Sequence, residues 1–166
     1  MKYVWVIFFL GNLLLFPSVV NSKLGVGVGT GKIQIDEKLK PGMIYELPSL
    51  SVINTGDVAS DYAVGVGYHQ NQEDLKPPKD WFEFFPLNFY LEPGEVQVVT
   101  INLNLPLKVE PGNYFVYLEG SPTKISDQGS ASVGVAAAAK LYFSVEPANF
   151  LQGIYYKLAS WWKVYS

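Results

Sequence analysis

From Tyr90 to Gly120 the chain reads YLEPGEVQVVTINLNLPLKVEPGNYFVYLEG, and apolar side chains recur in it at every second position. Val99, Ile101, Leu103 and Leu105 fall on one side, and Thr100, Asn102 and Asn104 on the other. A repeat of two puts successive side chains on opposite faces of an extended backbone, so this stretch is restricted to strands with one packed face. Pro93-Gly94 and Pro111-Gly112 interrupt the pattern, and Pro106 closes the first strand. Proline presets φ and glycine reaches the conformations a tight turn needs, so both pairs read as chain reversals. After the second, Tyr114, Val116 and Leu118 alternate with Phe115, Tyr117 and Glu119. Strands introduced by regularly spaced turns are the pattern of an antiparallel sandwich.

The flanking segments extend the pattern. Pro41-Gly42 and Asn54-Thr55-Gly56-Asp57 mark turns, and between them Leu50 and Val52 alternate with Ser49 and Ser51. Pro48 has no N–H for a ladder, so its strand is expected to bulge there or to lie at an edge. Tyr62, Val64, Val66 and Tyr68 share one face and Ala63, Gly65 and Gly67 the other. That glycine face predicts close approach by another backbone or by bulky aromatic side chains. Trp81, Phe82, Phe84, Phe85, Phe89 and Tyr90 cluster and are expected to build core. Val133, Val135, Ala137, Ala139, Leu141, Phe143 and Val145 share one face of a last strand, and this alternation outweighs the helix preference of four consecutive alanines. The expected architecture is all-β: a single Ig-like antiparallel β-sandwich of about seven strands over residues 32–146. Tyr62, Val64, Val66, Ile101, Leu103, Val116 and Phe143 are expected in its core.

Composition narrows the chemistry. All 12 basic residues are lysine. Without arginine there is no bidentate grip on phosphate or base edges, and a net charge of −3 argues further against nucleic acid. With no cysteine, a disulfide framework, a Cys-ligated zinc and a thiol nucleophile are excluded. The run KLGVGVGTGKIQIDE fails the phosphate-loop pattern at Val26 and Ile33 and the dinucleotide pattern at Lys32. Residues 23–31 read instead as a flexible Gly-rich leader into a first strand at Lys32 to Asp36. His69 is the sole histidine and sits at the mouth of a loop. Asp36-Glu37 and Glu73-Asp74 read as solvated charge in turns or loops, because glycosidase acids need partly buried, separately tuned sites. No serine sits in a Gly-x-Ser-x-Gly setting, and no Asp-x-Asp-x-Asp-Gly calcium loop occurs. No catalytic, cofactor-binding or metal-ligating residue is assigned, and the chain reads as a non-enzyme. The rival from another class is a carbohydrate-active or wall-modifying enzyme using loop carboxylates.

Both ends point outside the cytoplasm. Residues 1–22 pair Lys2 with an apolar run to Phe16, a breaking Pro17, and Val20 and Ser22 three and one residues before a cut. This is a secretory signal peptide cleaved after Ser22, or an uncleaved anchor. Residues 147–166 change period: Phe150, Leu151, Ile154, Leu158, Trp161, Trp162 and Tyr165 recur at steps of three and four, as in an amphipathic helix. Aromatics beside Lys157 and Lys163 describe a helix at a membrane interface. The same face would also fit its own sandwich or a partner, a second copy included. Phe150, Ile154, Leu158, Trp161, Trp162, Lys157 and Lys163 are the candidate interface.

Pro41-Gly42, the strand end at Asn54-Thr55-Gly56, Trp81 ahead of a strand, Pro93-Gly94-Glu95 leading to Pro106, and Pro111-Gly112-Asn113-Tyr114 together resemble one family. It is that of surface Ig-like domains accompanying WxL-type wall proteins, related in pattern to the pilus-chaperone-like sandwich. The resemblance covers about residues 32–146. It implies an exported cell-envelope module with peptidoglycan as ligand, and in that family a membrane segment commonly follows the sandwich. Pilus chaperones grip a pilin carboxylate in a basic cleft between two domains. One sandwich without arginine does not carry that activity. The expected partners are a cell-wall glycan or envelope protein and a membrane interface.

Overall fold

The computed structural model describes residues 23–123, 135–149, 153–156 and 158. The expected signal peptide, residues 1–22, and Val133 lie outside them. Among the described residues, nine strands form two facing sheets: β1 (Gly27–Val28), β2 (Lys32–Leu39), β3 (Ile44–Ile53), β4 (Ser60–Gly67), β5 (Phe82–Phe85), β6 (Asn88–Leu91), β7 (Val96–Asn104), β8 (Gly112–Pro122) and β9 (Ala137–Val145). A short 3-10 turn, Lys79–Trp81, leads into β5. One sheet runs β1-β3-β7-β5 and the other β2-β9-β8-β4-β6.

The count exceeds seven because two strands are each shared between the sheets. β1 pairs with β3, and the chain then crosses so that β2 runs beside β9. Likewise β5 pairs with β7, and after the cis Phe85–Pro86 bond β6 pairs with β4. One expectation is corrected here. The sandwich is not wholly antiparallel, because β2 and β9 are parallel. A strand that switches sheets keeps its direction, so it meets the far sheet in the opposite sense.

The alternation maps directly onto the core. Tyr62, Val64, Val66, Ile101, Leu103, Val116 and Phe143 are all buried, and so are Val99, Leu105, Leu118, Ala139 and Leu141. The register of β3 slips between Leu47 and Leu50, so Pro48 sits in a bulge of an inner strand. Gly42 and Gly94 have φ of 76° and 81°, as the third position of a Pro-Gly turn requires. Four expectations change. The aromatic cluster is only partly core: Phe82 is buried, but Phe85 is 80% exposed and Tyr90 also faces solvent. Phe115, expected outward, is outward yet buried, because Tyr117 and Tyr142 pack around it. The glycine face of β4 is not closed over: Gly65 meets no neighbour, and only the Glu119 carboxylate folds against Gly67. Asp36 and Glu37 lie on β2, not in a turn, and both are exposed.

The leader is also more than a lead-in. It is tied to the β3–β4 corner, where Tyr62 Oη donates to the Gly25 carbonyl at 2.8 Å and Asp57 N donates to the Lys23 carbonyl at 3.0 Å. A Cβ on Gly56 would stand 2.3 Å from that same Lys23 carbonyl, so the corner accepts the leader only because residue 56 is glycine. Asn54 organises the corner. Its buried side chain donates to Val58 O (2.8 Å) and Leu91 O (3.1 Å) and accepts from Gly56 N (2.9 Å). Its backbone pairs with Glu95 and Gly94 in the β6–β7 turn.

Two stability measurements test this arrangement. Ile101→Ala should cost about 2–4 kcal/mol in urea unfolding, whereas exposed Val98→Ala on the same strand should stay within about 0.5 kcal/mol. Equal costs would mean that the register of β7 is off by one residue. Asn54→Ala strands one buried N–H and two carbonyls and should cost at least about 2 kcal/mol, since an unpaired buried group bears its full desolvation penalty. An unchanged unfolding midpoint would show that water replaces the amide.

Candidate functional site

The tail leaves the sandwich beside β2. Glu146 N donates to the Leu39 carbonyl, and residues 153–156 and 158 are helical. Tyr156 faces the body of the protein, sharing a cavity of about 350 Å3 with Lys38, Glu110, Pro111 and Ser144. Ile154 and Leu158, one helical turn apart, are both exposed, Leu158 by 64%. Of the expected interface residues, the structure therefore places these two on one open side. Phe150, Lys157, Trp161, Trp162 and Lys163 lie outside the residues whose side chains are described. Among the described residues, no helix is long and apolar enough to cross a membrane.

Where Tyr156 meets the sandwich, Tyr114 stacks on Phe143 with ring centroids 5.1 Å apart and tilts against Trp81. Its hydroxyl donates to the Glu110 carbonyl at 2.6 Å. Burial pushes the Tyr114 hydroxyl well above the ordinary tyrosine range, and the Glu110 carboxylate and Tyr156 add to the shift. Burial raises Tyr62 too, and it raises Tyr68 with help from Asp80.

The loop carboxylates separate. Glu73 is exposed, while Asp74 borders an open cleft of about 220 Å3 on the outer face of the β2-β9-β8-β4-β6 sheet. Lys32, Gln34, Asn113, Tyr142 and Ser144 line the same cleft. Lys32 Nζ lies 5.2 Å from the Tyr142 ring centroid, and Ser144 Oγ donates to Asn113 Oδ1. His69 is exposed in its loop, where its Nδ1 accepts from Asn71 N. Among the described residues, no cluster of three or more His, Asp or Glu is arranged to hold a metal. Sequence reasoning gave no site role to Lys32, Gln34, Asn113 or Tyr142. Their separation of up to 110 residues hides a juxtaposition that only the β2–β9–β8 pairing creates.

No family model matches the chain, and no curated protein matches it. Solved structures do. PapD-like domain 7 of human CEP192, an ASH domain, is 17% identical and superposes with a TM-score of 0.53 over 81% of this chain and 97% of that one. The E. coli chaperone DraB is 17% identical with a TM-score of 0.50, covering 75% of this chain and 56% of DraB. What is shared is the fold, an Ig-like β-sandwich. This chain thus spans little more than half the length of the chaperone.

The tyrosines give a pH test. A hydroxyl held protonated by the fold contributes stability that is whole below the unfolded pKa of 10.0 and is lost as pH climbs toward the raised folded value. Unfolding midpoints should therefore be flat up to about pH 9 and fall above about pH 10, with a late-titrating tyrosine fraction in the ultraviolet spectrum. Tyr114→Phe should blunt the fall. Ionisation of every tyrosine near pH 10 in the folded protein would contradict the burial described.

Proposed function

We propose that the chain is an exported, non-catalytic binding module of the cell envelope, held at a membrane surface by its C-terminal helix. The observation that carries this reading is the pairing of exposed Ile154 and Leu158 on the side of the tail opposite Tyr156. A helix that served only to cover its own sandwich would turn that pair inward. The aromatic and lysine residues that follow in the sequence suit the boundary between acyl chains and headgroups.

Export is supported by the signal pattern of residues 1–22 and by the seat at Lys23. Lys23 N lies 2.6 Å from Asp57 Oδ1, where the free ammonium left by cleavage after Ser22 would pair with the carboxylate. For a ligand, the peptidoglycan implied by the family resemblance suits the cleft beside Tyr142. Amide, hydroxyl, carboxylate and ammonium groups converge there in the manner that glycan hydroxyls engage. The enzyme reading finds a single carboxylate, Asp74, in that cleft, whereas glycoside hydrolysis works with two.

Fractionation and mass spectrometry of the native protein test the proposal. The expected result is a chain beginning at Lys23, sedimenting with the envelope and binding vesicles that contain anionic lipid. Ile154→Ser with Leu158→Ser should weaken vesicle binding about tenfold or more, because each side chain contributes on the order of 1 kcal/mol or more when buried. Recovery of soluble cytosolic protein with Met1 intact would overturn export, and unchanged vesicle binding by the double variant would overturn the role of the tail.

A further inference from the structure

The cleft beside Tyr142 crosses the strands of its sheet rather than running along one of them. Lys32 and Gln34 line it from β2, Tyr142 and Ser144 from β9, and Asn113 from β8. Asp74 bounds it beyond β8. The sheet itself holds the 72–75 segment there. Leu75 N donates to the Asn113 carbonyl at 2.9 Å, and Phe115 N donates to the Leu75 carbonyl at 3.1 Å. Gln72 Nε2 donates to the Phe115 carbonyl at 2.9 Å and to Asp74 O at 3.2 Å. β8 thus has β9 along one edge and this strap along the other, so Lys32 and Asp74 stand at opposite ends of the cleft.

The charges around the cleft differ from end to end. On β2, Lys32 is the register partner of Lys140, both are exposed, and the Lys32 ammonium lies over the Tyr142 ring. Two acids on the same sheet face are turned to other groups: Asp36 Oδ1 accepts from Gln34 Nε2, and the Glu119 carboxylate lies against Gly67. At the loop end Asp74 is joined by exposed Glu73, with Lys76 two residues further on. Among the described residues, neither Lys32 nor Asp74 forms an ion pair. A neutral sugar leaves both charges uncompensated, whereas a ligand carrying both signs complements them. Between the two, Gln34 and Asn113 each present a side-chain amide, donor and acceptor in one group, which matches a peptide group. Three inter-strand steps of about 4.8 Å separate β2 from the strap, and side chains reaching in from both ends leave about 10 Å, the span of three extended residues.

We infer that the cleft takes a short zwitterionic peptide of about three residues, with its carboxylate at Lys32, its ammonium at Asp74 and its backbone across Tyr142. This rests on the reading of the cleft as the wall-ligand site and names the part of the polymer that enters it: a peptide bearing both charges, not the sugar chain. Lys140 strengthens the field at the carboxylate end from the neighbouring strand.

A nuclear magnetic resonance titration of the full mature chain tests this with four probes: trialanine, N-acetyl-trialanine, trialanine amide and the N-acetylglucosamine trimer. Trialanine should shift the amide signals of Gln34, Asn113 and Tyr142, and blocking either of its ends should weaken binding about tenfold or more. Each substitution should matter only to the end it faces. Lys32→Gln should weaken trialanine about tenfold and leave trialanine amide unchanged, and Asp74→Asn should weaken trialanine likewise and leave N-acetyl-trialanine unchanged. The blocked peptides are read on the unaltered protein, so the test stands even where a variant fails to fold. Equal binding of free and blocked trialanine would overturn the inference. Binding of the sugar trimer at these signals without binding of trialanine would overturn the peptide and leave the wall-ligand reading of the cleft intact. No shift with any of the four probes would overturn both.

Discussion

The sandwich depends on one saturated amide. Asn54 is fully buried and uses both donors and its acceptor, binding Val58 O, Leu91 O and Gly56 N. These three bonds, with the backbone pairs to Gly94 and Glu95, join the end of β3, the end of β6 and the turn into β7. The corner they shape is the surface on which Lys23 and Gly25 lie, and Gly25 in turn accepts the Tyr62 hydroxyl from the floor of the core. In a chain without disulfides, the crossing of the first strand from one sheet to the other needs such a fixed point. A half-satisfied network at this depth would cost more than an apolar replacement, so its completeness matters as much as its presence.

From that corner the rest of the geometry follows. The leader starts at one end of the sandwich and β2 carries the chain to the other, beside the departing tail. An anchor at the beginning of the chain and an interfacial helix at its end would therefore pull on opposite ends of the domain. The proposed cleavage after Ser22 would remove that conflict and leave Asp57 a cationic partner. The seat at Lys23 and the position of the tail are both compatible with the export proposed above.

The sequence was most legible where burial alternates strictly. β7, β8 and β4 show their inner faces in Val99–Ile101–Leu103, Tyr114–Val116–Leu118 and Tyr62–Val64–Val66, because a period of two has one structural solution there. It was least legible where backbone rather than side chain decides. β1 is two residues in a glycine-rich run, and its pairing with Ile53 and Val52 follows from close backbone approach. The burial of Phe115 and the open face at Gly65 depend on which neighbours arrive from β9 and from the 68–78 loop, and no local pattern states that. Asn54 was visible as a turn residue but not as a hub, since Leu91 is 37 residues away. Of the candidate interface, the helical period in the sequence pointed to Ile154 and Leu158, which are exposed on one side of the tail.

Native-state hydrogen exchange tests the central role of the Asn54 corner most directly. If the corner is the fixed point of the fold, the amides of Asn54, Gly56 and Gly94 exchange only through global unfolding, at the same opening free energy as Ile101 in the middle of β7. Exchange of these three amides at a much lower opening free energy, through local fraying of the leader and the 54–57 turn, would show that the sandwich holds without the corner and would contradict the account.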